Sequence, residues 1–312
     1  MLPGAHLPTV WGKKIRWRPP VHDRLERVAT PDGDHLTLAR MGTPRSGVPH
    51  LLVLHGLEGN VRAKYAHGLL RLARHRGWSG DLLLFRTCDG EDNSARRLYH
   101  SGETTDLDFV VRWLVAQTPG VQLVVCGVSL GGNVLVKWLG ELGAQARSLV
   151  HRAAAVSVPF DLGAGSRYLE HGFSRLYTRH FLSTLVPKAF RKLEQFPGAF
   201  DGNRARAATT FWEFDDAVTA PLHGFSGAAD YYDRSSSMQF VAAVRVPTLL
   251  FVARDDPFIP PAALARAVEL ASTNDSVTIE TTERGGHVGW IEGTTWPLRY
   301  YMELRIIDYM SL

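Results

Sequence analysis

Short apolar runs alternate with helix-like stretches along most of this 312-residue chain. Two early segments, 25–28 and 36–39, flank the turn Pro31-Asp32-Gly33-Asp34 and predict an antiparallel hairpin. Because strands that alternate with helices build parallel sheets, the pattern predicts an α/β fold with a mostly parallel, eight-stranded sheet and helices on both faces. The other six strands are predicted at the runs Leu51–Leu54, Leu82–Phe85, Leu123–Cys126, Ala154–Val158, Thr248–Val252 and Val277–Thr281.

Two amphipathic helices are predicted between these strands. The first lies near 62–75, is rich in Ala and Leu, and ends at Gly77. The second ends at Pro119-Gly120 and repeats apolar residues at the i, i+3, i+4, i+7 spacing of one helix face. Its apolar face consists of Leu107, Val110, Val111, Leu114 and Val115.

The stretch 160–245 is far longer than a connection between parallel strands needs. It predicts a helical insertion that serves as a lid over the sheet, and an enlarged core filled by the same aromatic residues is the alternative. The aromatic residues in question are Phe173, Tyr177, Phe181, Phe190, Phe196, Phe211, Trp212 and Phe214.

Composition excludes several classes of protein. A hydrophobic fraction of 45% and a charged fraction of 21% are those of an ordinary globular protein, so we predict one domain over residues 1–312. The net charge of +4 is mild and its basic residues are dispersed, which argues against a nucleic-acid partner. With Cys88 and Cys126 as its two cysteines, the chain predicts neither a disulfide framework nor a cysteine zinc site, and we expect no cofactor and no metal.

The first 20 residues lack the continuous apolar stretch of a signal peptide, and no segment approaches the ~18 apolar residues of a spanning helix. The sequence therefore predicts a soluble, cytoplasmic protein without an integral membrane anchor. A basic and aromatic cluster near the start predicts either weak contact with a membrane surface or a solvated arm that packs its tryptophans on the domain. The cluster consists of Trp11, Lys13, Lys14, Arg16, Trp17 and Arg18.

The strongest chemical signal is the pentad Gly127-Val128-Ser129-Leu130-Gly131, which follows a predicted strand and precedes a helical pattern. A G-x-S-x-G sequence at a strand-to-helix turn holds the serine in a strained conformation with its hydroxyl exposed above the sheet. Ser129 is therefore the predicted nucleophile, and a glycine-rich packing turn is the alternative.

A serine nucleophile needs a histidine base and a carboxylate that orients it. In enzymes that carry the serine nucleophile on this kind of turn, the acid and then the base come later in the chain than the serine. Gly285-Gly286-His287 comes just after the last predicted strand, so His287 is the predicted base. Asp255 and Asp256 follow the strand Thr248–Val252 at the sheet edge where catalytic groups collect.

Backbone amides are also needed to bind the oxyanion of an acyl-transfer transition state. We predict that Leu130, which follows the nucleophile, and Leu57, in the loop after the first buried strand, donate these N–H groups. His55 is expected to stiffen that loop. A metal site at His55 and Glu58 is a poor alternative, because no third ligand has a suitable spacing.

Seven motifs lie along nearly the whole chain: His55-Gly56-Leu57-Glu58-Gly59, Arg86-Thr87-Cys88-Asp89-Gly90, Tyr99-His100-Ser101-Gly102-Glu103-Thr104, Gly127-Val128-Ser129-Leu130-Gly131-Gly132-Asn133, Phe214-Asp215-Asp216, Asp255-Asp256-Pro257-Phe258 and Gly286-His287-Val288-Gly289-Trp290. Together they resemble the YheT-like α/β-hydrolases, which are bacterial relatives of the eukaryotic abhydrolase-domain lipases. The opening residues Leu2 to Thr9 are also similar to the start of bacterial members.

The resemblance implies an α/β-hydrolase fold and esterase or lipase activity with a triad of Ser129, Asp256 and His287. Asp256 occupies the D-x-x-x-P position that follows the strand in resembling hydrolases, which leaves Asp255 as a loop or capping residue. The eukaryotic relatives carry a membrane anchor and act on phospholipids or acylglycerols. We expect this chain to have no such anchor, which argues against membrane-embedded substrates.

We therefore expect a serine hydrolase that cleaves short-chain or lipid esters through an acyl-enzyme. An acyltransferase that passes the same acyl group to an alcohol is the nearest alternative, and a ligand-binding protein that keeps the hydrolase scaffold is the other. Acyl-chain length, the alcohol half, lid movement and oligomeric state are left open by the sequence.

Overall fold

The computed structural model describes residues 4–14, 19–292 and 299–312, and of residues 11–14 it describes the backbone only. Within these residues, eight strands form the main sheet and two short strands form a separate pair. The strands are β1 (Arg24–Ala29), β2 (His35–Met41), β3 (Pro49–Leu54), β4 (Ser79–Leu84), β5 (Gln122–Val128), β6 (Arg152–Val156), β7 (Thr248–Ala253), β8 (Val277–Thr282), β9 (Ile291–Glu292) and β10 (Arg299–Tyr300).

The main sheet has the order β1-β2-β4-β3-β5-β6-β7-β8. Strand β2 runs antiparallel to β1 and β4, and the strands from β3 to β8 are parallel. The predicted hairpin and all six predicted buried strands are present, which confirms the α/β class. Most strand boundaries differ from the prediction by one or two residues. The largest difference is that β4 begins three residues earlier, at Ser79, and β6 ends before Ser157, whose positive φ of 50° turns the chain out of the sheet.

The helices lie between the strands, and both predicted amphipathic helices are present as α2 and α3. The described helices are α1 (His6–Lys14), α2 (Lys64–His75), α3 (Thr105–Gln117), α4 (Leu130–Leu142), α5 (Leu162–Tyr168), α6 (Ser174–Gln195), α7 (Gly202–Ala207), α8 (Phe211–Phe214), α9 (Ala220–His223), α10 (Ala228–Ser235), α11 (Pro261–Ser272) and α12 (Tyr301–Met310). Short 3-10 segments cover Gly143–Ser148 and Ser237–Ala243, and one π-helical turn covers Asp215–Thr219.

Two apolar layers sandwich the sheet because alternate residues of each strand point to opposite faces. Leu52 and Leu54 of β3 pack in one layer with the apolar faces of α3 and α4. Leu51 and Val53 pack in the other layer with α2 and α12. Both layers are fully buried, so the carboxyl ends of the parallel strands are held at one rigid edge.

The segment between β6 and β7 is helical, and it has an apolar cluster of its own that includes Leu182, Phe200 and Phe214. Of the eight aromatic residues named above, only Phe214 is fully buried, while Phe173 is 48% exposed. The others are partly exposed, so these side chains do not simply enlarge the central core. That this segment acts as a lid stays a prediction.

The basic and aromatic cluster near the start lies outside the described side chains, since Trp11, Lys13 and Lys14 are described by backbone only and residues 16–18 are not described. Across the described ranges of the chain, none of the helices combines the length and the apolar character that crossing a membrane requires.

Candidate active site

Ser129 occupies a sharp turn between β5 and α4. Its backbone has a φ of 55° and a ψ of −119°, a strained conformation for a residue with a side chain. The flanking glycines permit it: a Cβ on Gly127 would lie 2.3 Å from the carbonyl oxygen of Gly131, and a Cβ on Gly131 would lie 2.6 Å from that of His55. The pentad therefore forms the predicted turn, with the Ser129 side chain at the sheet edge.

His287 and Asp256 meet Ser129 from two other loops at the same edge. The Ser129 Oγ lies 2.8 Å from His287 Nε2, and His287 Nδ1 lies 2.9 Å from Asp256 Oδ2. A carboxylate can only accept, so Nδ1 carries the proton and Nε2 is free to accept the Ser129 hydroxyl proton. Asp256 is 3% exposed and also accepts the Phe258 N–H at 2.9 Å. We call these three residues the elbow triplet.

The ring of His287 is held between this carboxylate and an aromatic side chain. Phe258 stacks on the imidazole with ring centroids 4.1 Å apart and an angle of 11° between the planes. Because one edge of the ring is bonded to Asp256 and one face is covered, the imidazole has little freedom to turn away from Ser129.

Side chains from three other parts of the chain hold the backbone of the His287 loop. Asp255 Oδ1 accepts the N–H groups of Gly285 and Gly286 at 2.9 and 2.8 Å, as its predicted capping role requires. Two further acceptors bind the next two amides: Thr9 Oγ1 accepts the His287 N–H at 2.8 Å, and Ser157 Oγ accepts the Val288 N–H at 3.2 Å.

The two predicted oxyanion donors lie beside Ser129. Leu57 and Leu130 line the same cavity as Ser129 and His287, and a Cβ on Gly56 would lie only 3.1 Å from the Ser129 Cβ. Leu130 is the first residue of α4, so its N–H has no partner within the helix. No described residue accepts a hydrogen bond from either amide.

The loop that carries Leu57 is fixed by His55 and Glu58. His55 accepts the Phe85 N–H on Nε2 at 3.1 Å and donates from Nδ1 to the Gly56 carbonyl at 2.7 Å, as its predicted stiffening role requires. Burial lowers the pKa of His55 to about 4, so the ring stays neutral at physiological pH.

Glu58 ties this loop to the helical segment between β6 and β7. It forms an ion pair of 2.8 Å with Lys188 of α6 and accepts the Tyr99 hydroxyl at 2.8 Å. Burial alone would raise the pKa of Glu58, but the Lys188 ammonium and the hydrogen bonds from Lys188, Tyr99 and Thr184 together lower it. The Glu58 carboxylate is therefore bound by two protein groups, one from α6 and one from the loop before α3.

The cavity at Ser129 has a volume of about 640 Å³ including its mouth, and its lining is mostly apolar. A second cavity of about 610 Å³ adjoins it and shares Leu57, Leu130 and Phe211. The helical segment between β6 and β7 contributes to the lining of the first cavity with Leu162, Leu169, Phe181, Phe211, Tyr231 and Tyr232.

Comparison with known proteins identifies the family. The family model for the alpha/beta hydrolase fold matches residues 49–294. The chain belongs to the α/β-hydrolase family. Within this family it is 38% identical to YheT of Escherichia coli strain K12 over 98% of this chain and 88% of YheT, which makes it a YheT-like α/β-hydrolase.

Two further proteins are similar to this chain. Phospholipase ABHD3 of Mus musculus is 30% identical over 94% of this α/β-hydrolase and 74% of its own length. The solved structure of the Pyrococcus furiosus esterase Pf2001 superposes with a TM-score of 0.60 over 92% of this chain and 90% of that one, at 16% identity. The second match shows a shared fold.

Sequence reasoning missed two residues that shape the site of this α/β-hydrolase. Thr9 is 278 positions from His287, and nothing in its local sequence points to that contact. Ser157 was predicted inside a strand, although a polar residue at the carboxyl end of a buried strand could have indicated a role at the sheet edge.

Proposed function

We propose that this α/β-hydrolase cleaves carboxylic esters by two-step acyl transfer. The observation that carries the proposal is the elbow triplet: a strained serine bonded to a histidine that is bonded in turn to a buried aspartate, at the mouth of an apolar cavity. The names of the relatives agree with it, since ABHD3 is named a phospholipase.

In the first step, His287 Nε2 takes the hydroxyl proton as Ser129 Oγ attacks the ester carbonyl. The oxyanion of the tetrahedral intermediate accepts the N–H groups of Leu57 and Leu130. The intermediate collapses, the bond to the alcohol oxygen breaks, and His287 returns the proton to that oxygen. The acyl group is now esterified to Ser129.

In the second step, His287 removes a proton from water, whose oxygen attacks the acyl-enzyme carbonyl. Collapse expels Ser129, which recovers its proton from His287, and the carboxylic acid leaves. Asp256 holds the tautomer that presents Nε2 to Ser129 and stabilises the imidazolium in both steps.

The apolar lining favours esters with several apolar carbons in the acyl half. Leu162, Leu169, Phe181 and Phe258 offer it hydrocarbon surface, and each buried CH₂ contributes about 0.8 kcal/mol of binding. We therefore expect longer p-nitrophenyl esters to be cleaved with a higher kcat/KM than the acetate.

The test is labelling with a fluorophosphonate probe, which reacts with activated serines, followed by hydrolysis of p-nitrophenyl esters from acetate to palmitate. The wild type and Ser272→Ala, an exposed serine of α11, should label and turn over equally. Ser129→Ala should do neither. An unlabelled wild type, or a Ser129→Ala variant that still hydrolyses esters, would show the proposal to be wrong.

A further inference from the structure

The loop that carries His287 has no regular secondary structure, yet four consecutive amides in it are bound. The N–H groups of residues 285, 286, 287 and 288 each donate to a side-chain oxygen. Three of these contacts come from Asp255, two residues after the end of β7, and from Ser157, the residue after β6. The fourth comes from Thr9, which lies on the N-terminal helix α1.

The first turn of α1 and the residue before it lie close to the backbone of this loop. Gly286 has a φ of 57°, and a Cβ there would lie 2.4 Å from the Ala5 carbonyl oxygen and 2.6 Å from Thr9 Oγ1. A Cβ on Gly289 would lie 2.5 Å from the Pro8 carbonyl. Both glycines therefore let the helix approach the loop backbone directly.

Thr9 can serve two bonds at once because its hydroxyl both donates and accepts. Oγ1 donates to the Ala5 carbonyl at 2.7 Å and accepts the His287 N–H at 2.8 Å. The donated bond directs the oxygen lone pairs toward the loop, so the orientation of the acceptor is fixed by the helix that carries it.

The first residue of α1 also packs against aromatic side chains at the start of α6. His6 packs against Phe173 of the loop before α6 with ring centroids 4.5 Å apart, and its Nδ1 lies 3.2 Å from the Tyr177 hydroxyl. Tyr177 contacts Phe258, the ring that covers His287, at 5.0 Å. Helix α1 is therefore linked to His287 in two ways. Thr9 binds the His287 N–H directly, and His6 is linked to the His287 ring through Tyr177 and Phe258.

We infer that Thr9 is a positioning residue, which fixes the backbone of His287 so that Nε2 stays within hydrogen-bond distance of Ser129. The inference rests on the proposed function, since it assigns Thr9 a part in the reaction that His287 performs. Thr9 does not line the cavity at Ser129, so its effect falls on the chemical step and not on substrate binding.

The experiment compares Thr9→Val, which keeps the shape and loses the hydroxyl, with Thr9→Ser, which keeps the hydroxyl. Thr9→Val should lower kcat about tenfold with KM unchanged, because small displacements of a catalytic group are costly. Thr9→Ser should restore at least half of the wild-type kcat. Thr273→Val, which removes a hydroxyl bonded to a carbonyl on α11, is the matched control and should behave as wild type.

Hydrogen exchange gives a readout that does not depend on turnover. Peptides over residues 285–289 should exchange about tenfold faster in Thr9→Val than in Thr9→Ser, at equal melting temperatures. Wild-type kcat and exchange in Thr9→Val would overturn the inference, and so would equal losses in both variants or a rise in KM alone.

The two proposals fail in different ways. If Ser129→Ala is inert while Thr9→Val matches the wild type, the proposed function stands and the role of Thr9 is wrong. If the wild type itself neither labels nor hydrolyses esters, the proposed function is wrong and no catalytic role remains for Thr9, even where the exchange data show that it holds the loop.

Discussion

The elbow triplet has a counterpart at the opposite end of the parallel strands. Ser79 Oγ lies 2.8 Å from His50 Nδ1, and His50 Nε2 lies 3.0 Å from Asp81 Oδ2. We call these three residues the buried triplet. They sit on the first residues of β3 and β4, where His50 pairs with Ser79 in the strand register. Both triplets are therefore hydrogen-bonded chains of the same three residue types.

Their surroundings differ. His50 and Asp81 are 0% exposed and Ser79 is 7% exposed, so the buried triplet has almost no contact with solvent and no room for an ester. Asp81 is also bonded to Arg40 at 3.1 Å, as one member of a structural ion pair. Ser79 lies in a regular strand, whereas Ser129 has the strained backbone of the turn between β5 and α4.

The comparison shows that a serine, a histidine and an aspartate in line do not by themselves make a site. The elbow triplet adds a strained turn that exposes the hydroxyl, a cavity, and two amides that bind no described residue. The buried triplet instead satisfies polar groups inside the sheet, which stabilises the fold because unpaired buried polar groups are costly. Mutations should therefore affect activity at one end and stability at the other.

The largest expected effect is on the two serines. Ser129→Ala should lower kcat by at least about 10⁴-fold, because the group that forms the acyl bond is gone. Ser79→Ala should leave kcat within about twofold and lower the free energy of unfolding by ~1 kcal/mol through the lost hydrogen bond to His50. Ester turnover and urea unfolding of both variants check this. A Ser79→Ala variant with impaired turnover but wild-type stability would contradict the comparison.

The two aspartates should divide in the same way. Asp256→Asn should lower kcat by about 10³- to 10⁴-fold with little change in stability, because the amide no longer enforces the histidine tautomer. Asp81→Asn should lower the free energy of unfolding by about 3 kcal/mol, since it weakens the pairing of the buried Arg40. Kinetics at saturating substrate and equilibrium unfolding separate the two losses. Equal stability losses in both variants would remove the distinction.

Acid should lower the free energy of unfolding through His55, which lies at the sheet edge that carries the site. The folded-state pKa of His55 is about 4, below the ordinary value of 6.5. Between these values the unfolded chain binds the additional proton, so stability is full above pH 6.5 and falls as pH drops toward 4. For His55 alone, the free energy of unfolding should fall by roughly 3 kcal/mol over that pH window.

Urea unfolding of the wild type and His55→Gln from pH 7 to 4.5 measures this contribution. The variant should be less stable at pH 7, because the hydrogen bond to Phe85 is altered, but its stability should fall less steeply with acid. Parallel curves for the two proteins would mean that His55 does not titrate on unfolding.

The smallest expected effect concerns the approach of the Leu57 loop to Ser129. Gly56→Ala introduces a Cβ 3.1 Å from the Ser129 Cβ, so the loop must move back by a few tenths of an ångström. We expect kcat to fall about tenfold through a weaker oxyanion hole. Gly163→Ala on α5, whose Cβ would meet its nearest neighbours at 3.7 Å, is the control and should keep wild-type kcat. Unchanged kcat in Gly56→Ala would argue against Leu57 as a donor.

The sequence predicted the strands and the fold class because a strand that is buried on both faces is apolar at consecutive positions. Runs such as Leu51–Leu54 are apolar at every position, and the chain order of strands and helices follows from them. The start of β4 escaped prediction for the opposite reason: Ser79, Gly80 and Asp81 are poor strand formers on their own. They join the sheet because β3 and β2 supply His50 and Arg40 as partners.

The chemistry of the site was determined by the sequence to the extent that it is local. The pentad around Ser129 and the glycines before His287 are adjacent in the chain, and their backbone requirements can be recognised from neighbours alone. The choice between Asp255 and Asp256 needed the resemblance to a family, since the two carboxylates differ by one position. Tertiary structure bonds one to the His287 ring and the other to the loop amides.

Only the tertiary structure decided which distant groups support the site. Thr9 meets His287 across 278 positions, and Lys188 reaches Glu58 across 130. Such contacts depend on where whole helices pack, and a single threonine or lysine carries no signature of its partner. Local backbone requirements are therefore set by the sequence itself, whereas the second layer of support around the elbow triplet is set by the packing of helices α1 and α6.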